Sequence, residues 1–310
     1  MKTNKSFLIA ALLGVTLAGC QLIVMEEAIP NDEEEQTISE KLCVLTVDAT
    51  KGAETKALAI DGSNIKAYWT VGEKVDVYLA GNRKGTLSVT ATSNEGGTAT
   101  LSGTVDATGL VKDSELMLLF PGRDDHSWVY TGQDGTAPSE DGSMATGYDY
   151  AKASLTVNAV DGETVTVNEA SVTFTNQQSV YRFGFKVSES YIDVDNITVT
   201  SNQDKFVRSL SYVGSAWTPV YGSISVTANS VPGDHFYYMT IRNENTSADD
   251  TYTFSVVDHD TKALYEGSKT IPSSYLDAPK FLSLKNISVT QKSFAPAASG
   301  EVDGTTVLVL

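Results

Sequence analysis

Cysteine, histidine and basic charge are all scarce in this chain, and each scarcity removes a class of function. There are two cysteines in 310 residues, Cys20 and Cys43, so a framework of disulfides cannot hold the fold and packing must do so. The three histidines each follow an aspartate, at Asp125-His126, Asp234-His235 and Asp258-His259. Their spacing matches no zinc motif, and Asp193-Val194-Asp195-Asn196 starts like a calcium loop without the Gly and distal Glu that complete one. Lys and Arg number 22 against 39 Asp and Glu, a formal charge of -17. Nucleic-acid affinity is built largely from basic side chains, so DNA and RNA are excluded as main partners. No Gly-x-Ser-x-Gly elbow, phosphate loop or dinucleotide fingerprint occurs. The expectation is a protein without metal, cofactor or catalytic residues.

Long apolar runs are also missing, with one exception. Phe7 to Gly19 is apolar and follows Lys2 and Lys5, but it is shorter than the roughly 20 residues a membrane-crossing helix needs. It reads as a signal peptide over residues 1–19, and Leu17-Ala18-Gly19-Cys20 places small residues before a cysteine as bacterial lipoprotein signals do. Cys20 is therefore the expected lipidation site and outer-membrane anchor. Residues 20–56 then open on an acidic stretch, Glu26, Glu27, Asp32 to Glu35 and Glu40, which reads as a solvated leash.

What the chain has in quantity is period-two alternation of Val, Thr, Tyr, Ser and Phe. It occurs in Lys74 to Leu79, Leu87 to Val89, Val165 to Val167, Tyr181 to Phe185, Ile197 to Val199, Ile224 to Val226, His235 to Ile241 and Tyr252 to Val256. Asp-Gly pairs at 61–62, 134–135, 141–142 and 161–162 punctuate these segments. Short strands at this spacing over this length predict an all-β chain of two β-sandwiches, one over 57–160 and one over 161–310. The segment from Thr131 to Gly147 reads as a long loop.

Two segments share one chemistry. Leu42-Cys43-Val44-Leu45-Thr46-Val47 and Thr305-Thr306-Val307-Leu308-Val309-Leu310 are both β-formers that read as apolar on both faces. The first leads into Asp48 to Ala57, small and polar with basic residues expected to be exposed. The second follows the low-complexity connector Phe294 to Gly300. They are either the first and last strands of one monomer, or a removable strand (Leu42, Val44, Leu45, Val47) and a donor strand (Val307, Leu308, Val309, Leu310). In the second case a trypsin-like cut would open an edge that a neighbour's strand fills head to tail.

Aromatic clusters offer a further reading. Trp128 with Tyr130, Trp217 with Tyr221, and Phe236-Tyr237-Tyr238 could stack on a surface glycan, with Trp217 in GSAWTPVYG the most exposed and Phe236 alternating with Tyr238 as core residues do.

Taken in order, Leu17 to Cys20, Thr55-Lys56-Ala57, IKAYWTVGEKVDVYLAG (65–81), GGTATLSGTV (96–105), ELMLLFPG (115–122) and VYRFGFKV (180–187) resemble the fimbrillin family, the lipoprotein precursors of protease-assembled (type V) pili in Bacteroidetes. The resemblance covers most of the chain. It implies two tandem transthyretin-like β-sandwich domains of Greek-key type, no enzymatic activity, and a place on the outer membrane or in a fimbrium, serving adhesion. It also implies lipid on Cys20, cleavage at Lys56-Ala57 with Lys51 as the alternative, and polymerisation by strand donation from another subunit. Many relatives carry Arg at the junction where this chain has Lys56. The alternative is a permanently lipid-anchored surface protein, either a pilus anchor or a glycan-binding lipoprotein.

Overall fold

A computed structural model describes residues 41–51, 59–61, 64–66, 68–124, 127–138, 147–213, 216–244, 247–292, 300–302 and 305–307. Every long element is a strand, as the alternation predicts. The first half comprises β1 (Leu42–Lys51), β2 (Ala59–Asp61), β3 (Asn64–Lys66), β4 (Lys74–Leu79), β5 (Asn82–Ser93), β6 (Thr98–Asp106), β7 (Glu115–Phe120), β8 (Ser127–Val129), β9 (Ala151–Asp161), β10 (Thr164–Val167) and β11 (Ser171–Asn176). Apart from the β2–β3 hairpin and β8, these form one sheet in the order β10-β1-β11-β9-β7-β4-β5-β6, and β1 also pairs with β6. The ladder β1-β11-β9-β7-β4-β5-β6 therefore returns to β1 and makes a closed seven-stranded barrel. Closure is what removes exposed edges from such a sheet.

Local chemistry sets the corners. The β4–β5 hairpin turns through Ala80 and Gly81, at φ 45° and 84°, the left-handed pair that a two-residue hairpin loop requires. At the β5–β6 crossing the backbones approach so closely that a Cβ on Gly103 would stand 2.3 Å from the Thr86 carbonyl oxygen. Inside the barrel, Leu45, Val75, Val77, Leu87, Leu101, Leu116, Leu155 and Phe174 are fully buried.

The second half comprises β12 (Ser179–Val187), β13 (Ser190–Ile192), β14 (Val194–Ser201), β15 (Val207–Val213), β16 (Ala216–Tyr221), β17 (Ile224–Thr227), β18 (Tyr237–Ile241), β19 (Asp250–Asp258), β20 (Leu264–Ile271), β21 (Phe281–Ser288), β22 (Thr290–Gln291), β23 (Gly300–Val302) and β24 (Thr305–Val307). Strand β12 pairs with β18 and β13 on one edge and with β21, in parallel, on the other. A second sheet runs β17-β14-β19-β20-β22. The two pack face to face through aromatics: the Phe183 and Phe254 rings meet edge-on at 5.2 Å, and the Tyr181 and Tyr252 hydroxyls hydrogen-bond at 3.0 Å in the core.

Strand β8 leaves the first half to join β15 and β16. Tyr78 and Leu119 on the outer wall of the barrel belong to the second core, where Tyr78 meets Tyr212 edge-on at 5.0 Å. The division expected near residue 160 falls at the end of β9; the passage from the barrel to the second half comes between Asn176 and Ser179. The early part of the Thr131 to Gly147 loop is anchored. Gln133 bridges to Thr240, donating from Nε2 to its carbonyl (2.8 Å) and accepting its backbone N–H (2.7 Å). Tyr237 faces the core while Tyr238 and Thr240 are buried on the opposite side of β18, which corrects the expectation that Phe236 and Tyr238 form its core face.

Gly103→Ala is expected to destabilise the barrel by about 1–3 kcal/mol, because the new methyl meets backbone rather than a side chain that can move. Gly233→Ala, which meets nothing within 4 Å, serves as the control. Thermal melts of the two variants check this.

Candidate functional site

Strand β1 is held on both edges, and differently on each. Along one edge it runs antiparallel to β6 through nine residue pairs, from Leu42 opposite Asp106 to Thr50 opposite Thr98. Along the other it runs parallel to β10 at Val44 and Leu45, then parallel to β11 from Asp48 to Lys51. The side chains alternate strictly. Cys43, Leu45, Val47, Ala49 and Lys51 point inward and are buried, whereas Leu42 and Val44 remain 57% and 46% exposed. The expectation of a strand apolar and covered on both faces is thereby corrected: its outer face is solvent-accessible, with Thr46 bonded to the Ser102 hydroxyl (2.8 Å) and Asp48 accepting from the Thr100 hydroxyl (2.8 Å). Burying Leu45 and Val47 contributes on the order of 1.5–3 kcal/mol each.

The inward row ends on a cation. The Lys51 side chain is 1% exposed and donates from Nζ to Asp149 Oδ2 at 2.8 Å and to the Tyr68 carbonyl at 3.2 Å. Glu73 stands 4.0 Å away, and the ammonium lies over the rings of Trp69 (4.5 Å) and Phe120 (4.0 Å). Trp69 is wedged edge-on between Phe120 and Phe174, each at 5.2 Å. Burial pushes the Glu73 carboxyl above its ordinary value, and the Lys51 charge pulls it back down. Asp149 Oδ1 and Trp69 Nε1 are buried with no hydrogen-bond partner. The sequence places Asp48 to Ala57 in a polar connector with Lys51 exposed as an alternative cleavage point; the structure overturns this, because Asp48 to Lys51 complete β1 and Lys51 faces the core. The residues that hold it, Trp69 and Glu73, lie in the AYWTVGEK stretch of the resemblance, but no sequence pattern announces Asp149, which approaches from 98 positions away.

Of the other expected site residues, Cys20, Lys56 and Ala57 lie outside the described residues, as do Leu308, Val309 and Leu310. Val307 closes β24, which pairs with β23; among the described residues neither strand joins the barrel or the second-half sheets. The aromatic surface is corrected. Trp128 is 2% exposed and presents no free face for stacking, whereas Trp217, expected to be the most exposed, lies in β16 half-buried and packed on Trp128 at 4.5 Å and Tyr212 at 4.9 Å. Asp125-His126 lies outside the described residues, and in the other two Asp-His neighbours the ring nitrogen finds a carboxylate from elsewhere in the chain. His235 Nδ1 meets Asp193 Oδ1, and His259 Nδ1 meets Asp195 Oδ1, both at 2.6 Å; no group of three metal-ligating side chains forms among the described residues.

Lys51→Met is expected to cost about 3–5 kcal/mol, since it leaves the buried Asp149 carboxylate without its counter-ion. Adding Asp149→Leu should restore most of the loss. The deficit has a pH signature. Removing Lys51 raises the Glu73 pKa further above 4.5, and a carboxyl with a raised folded-state pKa loses stability as pH climbs through that value. The gap between variant and native protein should therefore narrow as pH falls toward 4.5, read by urea denaturation across pH.

No family model matches the chain, and no curated protein matches it. Solved structures do align with it. A fimbrial assembly protein from Parabacteroides distasonis aligns at 10% identity over 81% of this chain and all of its own length, with a TM-score of 0.36. A candidate cell adhesion protein from Bacteroides uniformis aligns at 10% identity over 74% of this chain and 98% of its own, TM-score 0.37. A candidate adhesin from Bacteroides thetaiotaomicron aligns at 11% identity over 87% and 98%, TM-score 0.38.

Proposed function

We propose that this chain is a non-enzymatic fimbrial subunit that joins its neighbours by strand exchange at β1, in the service of adhesion. The observation that carries the reading is the position of β1. One strand near the N-terminal end of the described residues links β6 to β10 and β11, so its departure opens two ladder edges and an apolar slot lined by the former neighbours of Cys43, Leu45, Val47 and Ala49. An edge of that kind is a template for a strand from another molecule. A contact between one subunit's slot and another's strand is head-to-tail and grows as a filament.

In this reading Cys20 carries the lipid that delivers the precursor to the outer membrane, and a trypsin-like protease cuts at Lys56-Ala57. The tail through Val307, Leu308, Val309 and Leu310 is donated to an acceptor, and the barrel and the second half are the tandem transthyretin-like domains. Among the described residues, β23 and β24 pair with each other and extend neither the barrel nor the second-half sheets. A host or bacterial surface glycan or protein is the adhesive target.

A specific feature favours the second reading, a surface protein anchored permanently through Cys20. The caged Lys51 resists extraction of β1, because its withdrawal uncovers the buried Asp149 carboxylate. Intact mass of the protein taken from the cell surface separates the two. A chain beginning at Ala57 without lipid supports the fimbrial subunit, and a lipidated chain beginning at Cys20 overturns it in favour of the anchor.

Lys56→Ala alone is expected to block maturation, with Lys51 left in its cage; normal filaments from that variant would sink the cleavage site. Deleting Gly304 to Leu310 should leave a folded monomer, by circular dichroism and thermal melt, that no longer enters filaments under electron microscopy. Loss of folding would identify the tail as an ordinary core strand.

A further inference from the structure

We propose that the slot occupied by β1 is a selective acceptor for a strand bearing a basic residue at the position of Lys51, and that its natural occupant is the strand of a different subunit rather than the tail of a second copy of this chain. The inference rests on the strand-exchange reading above and specifies the partner.

The slot is more than apolar. Its inward positions run Cys43, Leu45, Val47 and Ala49, then Lys51 in a cage of one carboxylate at 2.8 Å, a second at 4.0 Å and two aromatic faces. Asp149 comes from outside β1 and Glu73 from the β4 approach, so both stay behind when β1 leaves. A replacement strand that brings only aliphatic side chains leaves the buried Asp149 carboxylate without a counter-ion, which is far worse than not having built the site. The cage also has unused capacity: Asp149 Oδ1 is buried without a partner beside the occupied Oδ2. The fork of a guanidinium can take both oxygens of a carboxylate, so an arginine at this position would have a hydrogen-bond acceptor for each arm.

This chain's own tail lacks the required charge. Residues 300–310 read GEVDGTTVLVL, with Glu301 and Asp303 but no Lys or Arg. Neither alternate set, Glu301-Asp303-Thr305-Val307-Val309 or Val302-Gly304-Thr306-Leu308-Leu310, brings a cation to the cage in any register or direction. The charge of the slot therefore separates two roles. The tail is suited to an acceptor with an uncharged slot end, and this slot is suited to a donor ending its inward row on a base.

The test keeps the acceptor native. The full chain carries a site-specific protease sequence inserted between Gly52 and Ala57 and is cut there, so that the β1 segment stays bound without covalent attachment. Labelled peptides spanning residues 41–51, with Cys43→Ala, compete for the slot, and displacement is followed by fluorescence anisotropy. Peptides with Lys51 or Lys51→Arg are expected to displace the segment, while Lys51→Met and Lys51→Glu versions should be weaker by on the order of a hundredfold or more. The 300–310 peptide should displace it no better than the Met version. Equal displacement by the Lys, Met and Glu peptides overturns the selectivity and leaves strand exchange standing. Displacement by the 300–310 peptide at the Lys level overturns the assignment to a different subunit. If even the Lys51 peptide fails to exchange, strand exchange at β1 falls, and the selectivity falls with it.

Discussion

A sheet that closes on itself leaves no edge for another chain to join, and in the first half of this protein a single strand makes that closure. Strand β1 is antiparallel to β6 and parallel to β10 and β11, so it satisfies backbone groups on both of its sides at once. The apolar interior, the burial of Leu101 and Phe174 on either flank and the order of the barrel all follow from that bridge. The same bridge concentrates vulnerability: when β1 goes, β9, β7, β4 and β5 keep both of their ring partners, but β6 and β11 each lose a whole ladder.

The ion pair at the end of β1 gives the bridge a definite stop. Apolar alternation alone specifies which face of a strand turns inward but holds its lengthwise position loosely. Lys51 has one place where its charge is compensated, between Asp149 and Glu73 and over Trp69 and Phe120. A two-residue slip would put Ala49 or the residue after Gly52 there. Hence the cage acts as a register pin, and it couples β1 to residue 149 at the entry of β9 as well as to the turn before β4. Among the described residues, the second half has no comparable ion pair sealed in its core. It is held by aromatic contacts between two sheets, and the barrel is tied to it through Tyr78, Tyr212 and the stacked pair Trp128 and Tyr150 at 5.2 Å.

The all-β character and most of the strands were legible in the chain itself. The alternating segments read from sequence fall within strands, from Lys74 to Leu79 in β4 to Tyr252 to Val256 in β19, except that β18 begins at Tyr237 and leaves His235 and Phe236 outside it; burial on one face of a pleat imposes a period of two on the residues. Asp161-Gly162 also does what such a pair predicts, turning β9 into β10 with Gly162 at φ 56°. Less legible were the faces. Val44 and Leu45 are chemically alike, and nothing in the segment says that Val44 looks outward at 46% exposure while Leu45 is sealed. Trp217 sits among turn residues in the sequence, yet packs on Trp128 from a strand 89 positions away.

What the sequence by itself determined is the kind of element: strands, their approximate places, and a chain that is acidic and poor in cysteine. Those properties are local, carried by neighbouring residues and by composition. Only the tertiary structure decided that β1 closes a ring, that its outer face is open to solvent, and that Lys51 is a buried counter-ion rather than an exposed base. These depend on which distant segments meet, Leu42 with Asp106 and Lys51 with Asp149. The free energy of a buried charge depends on its neighbours in space, and a one-dimensional pattern does not contain them.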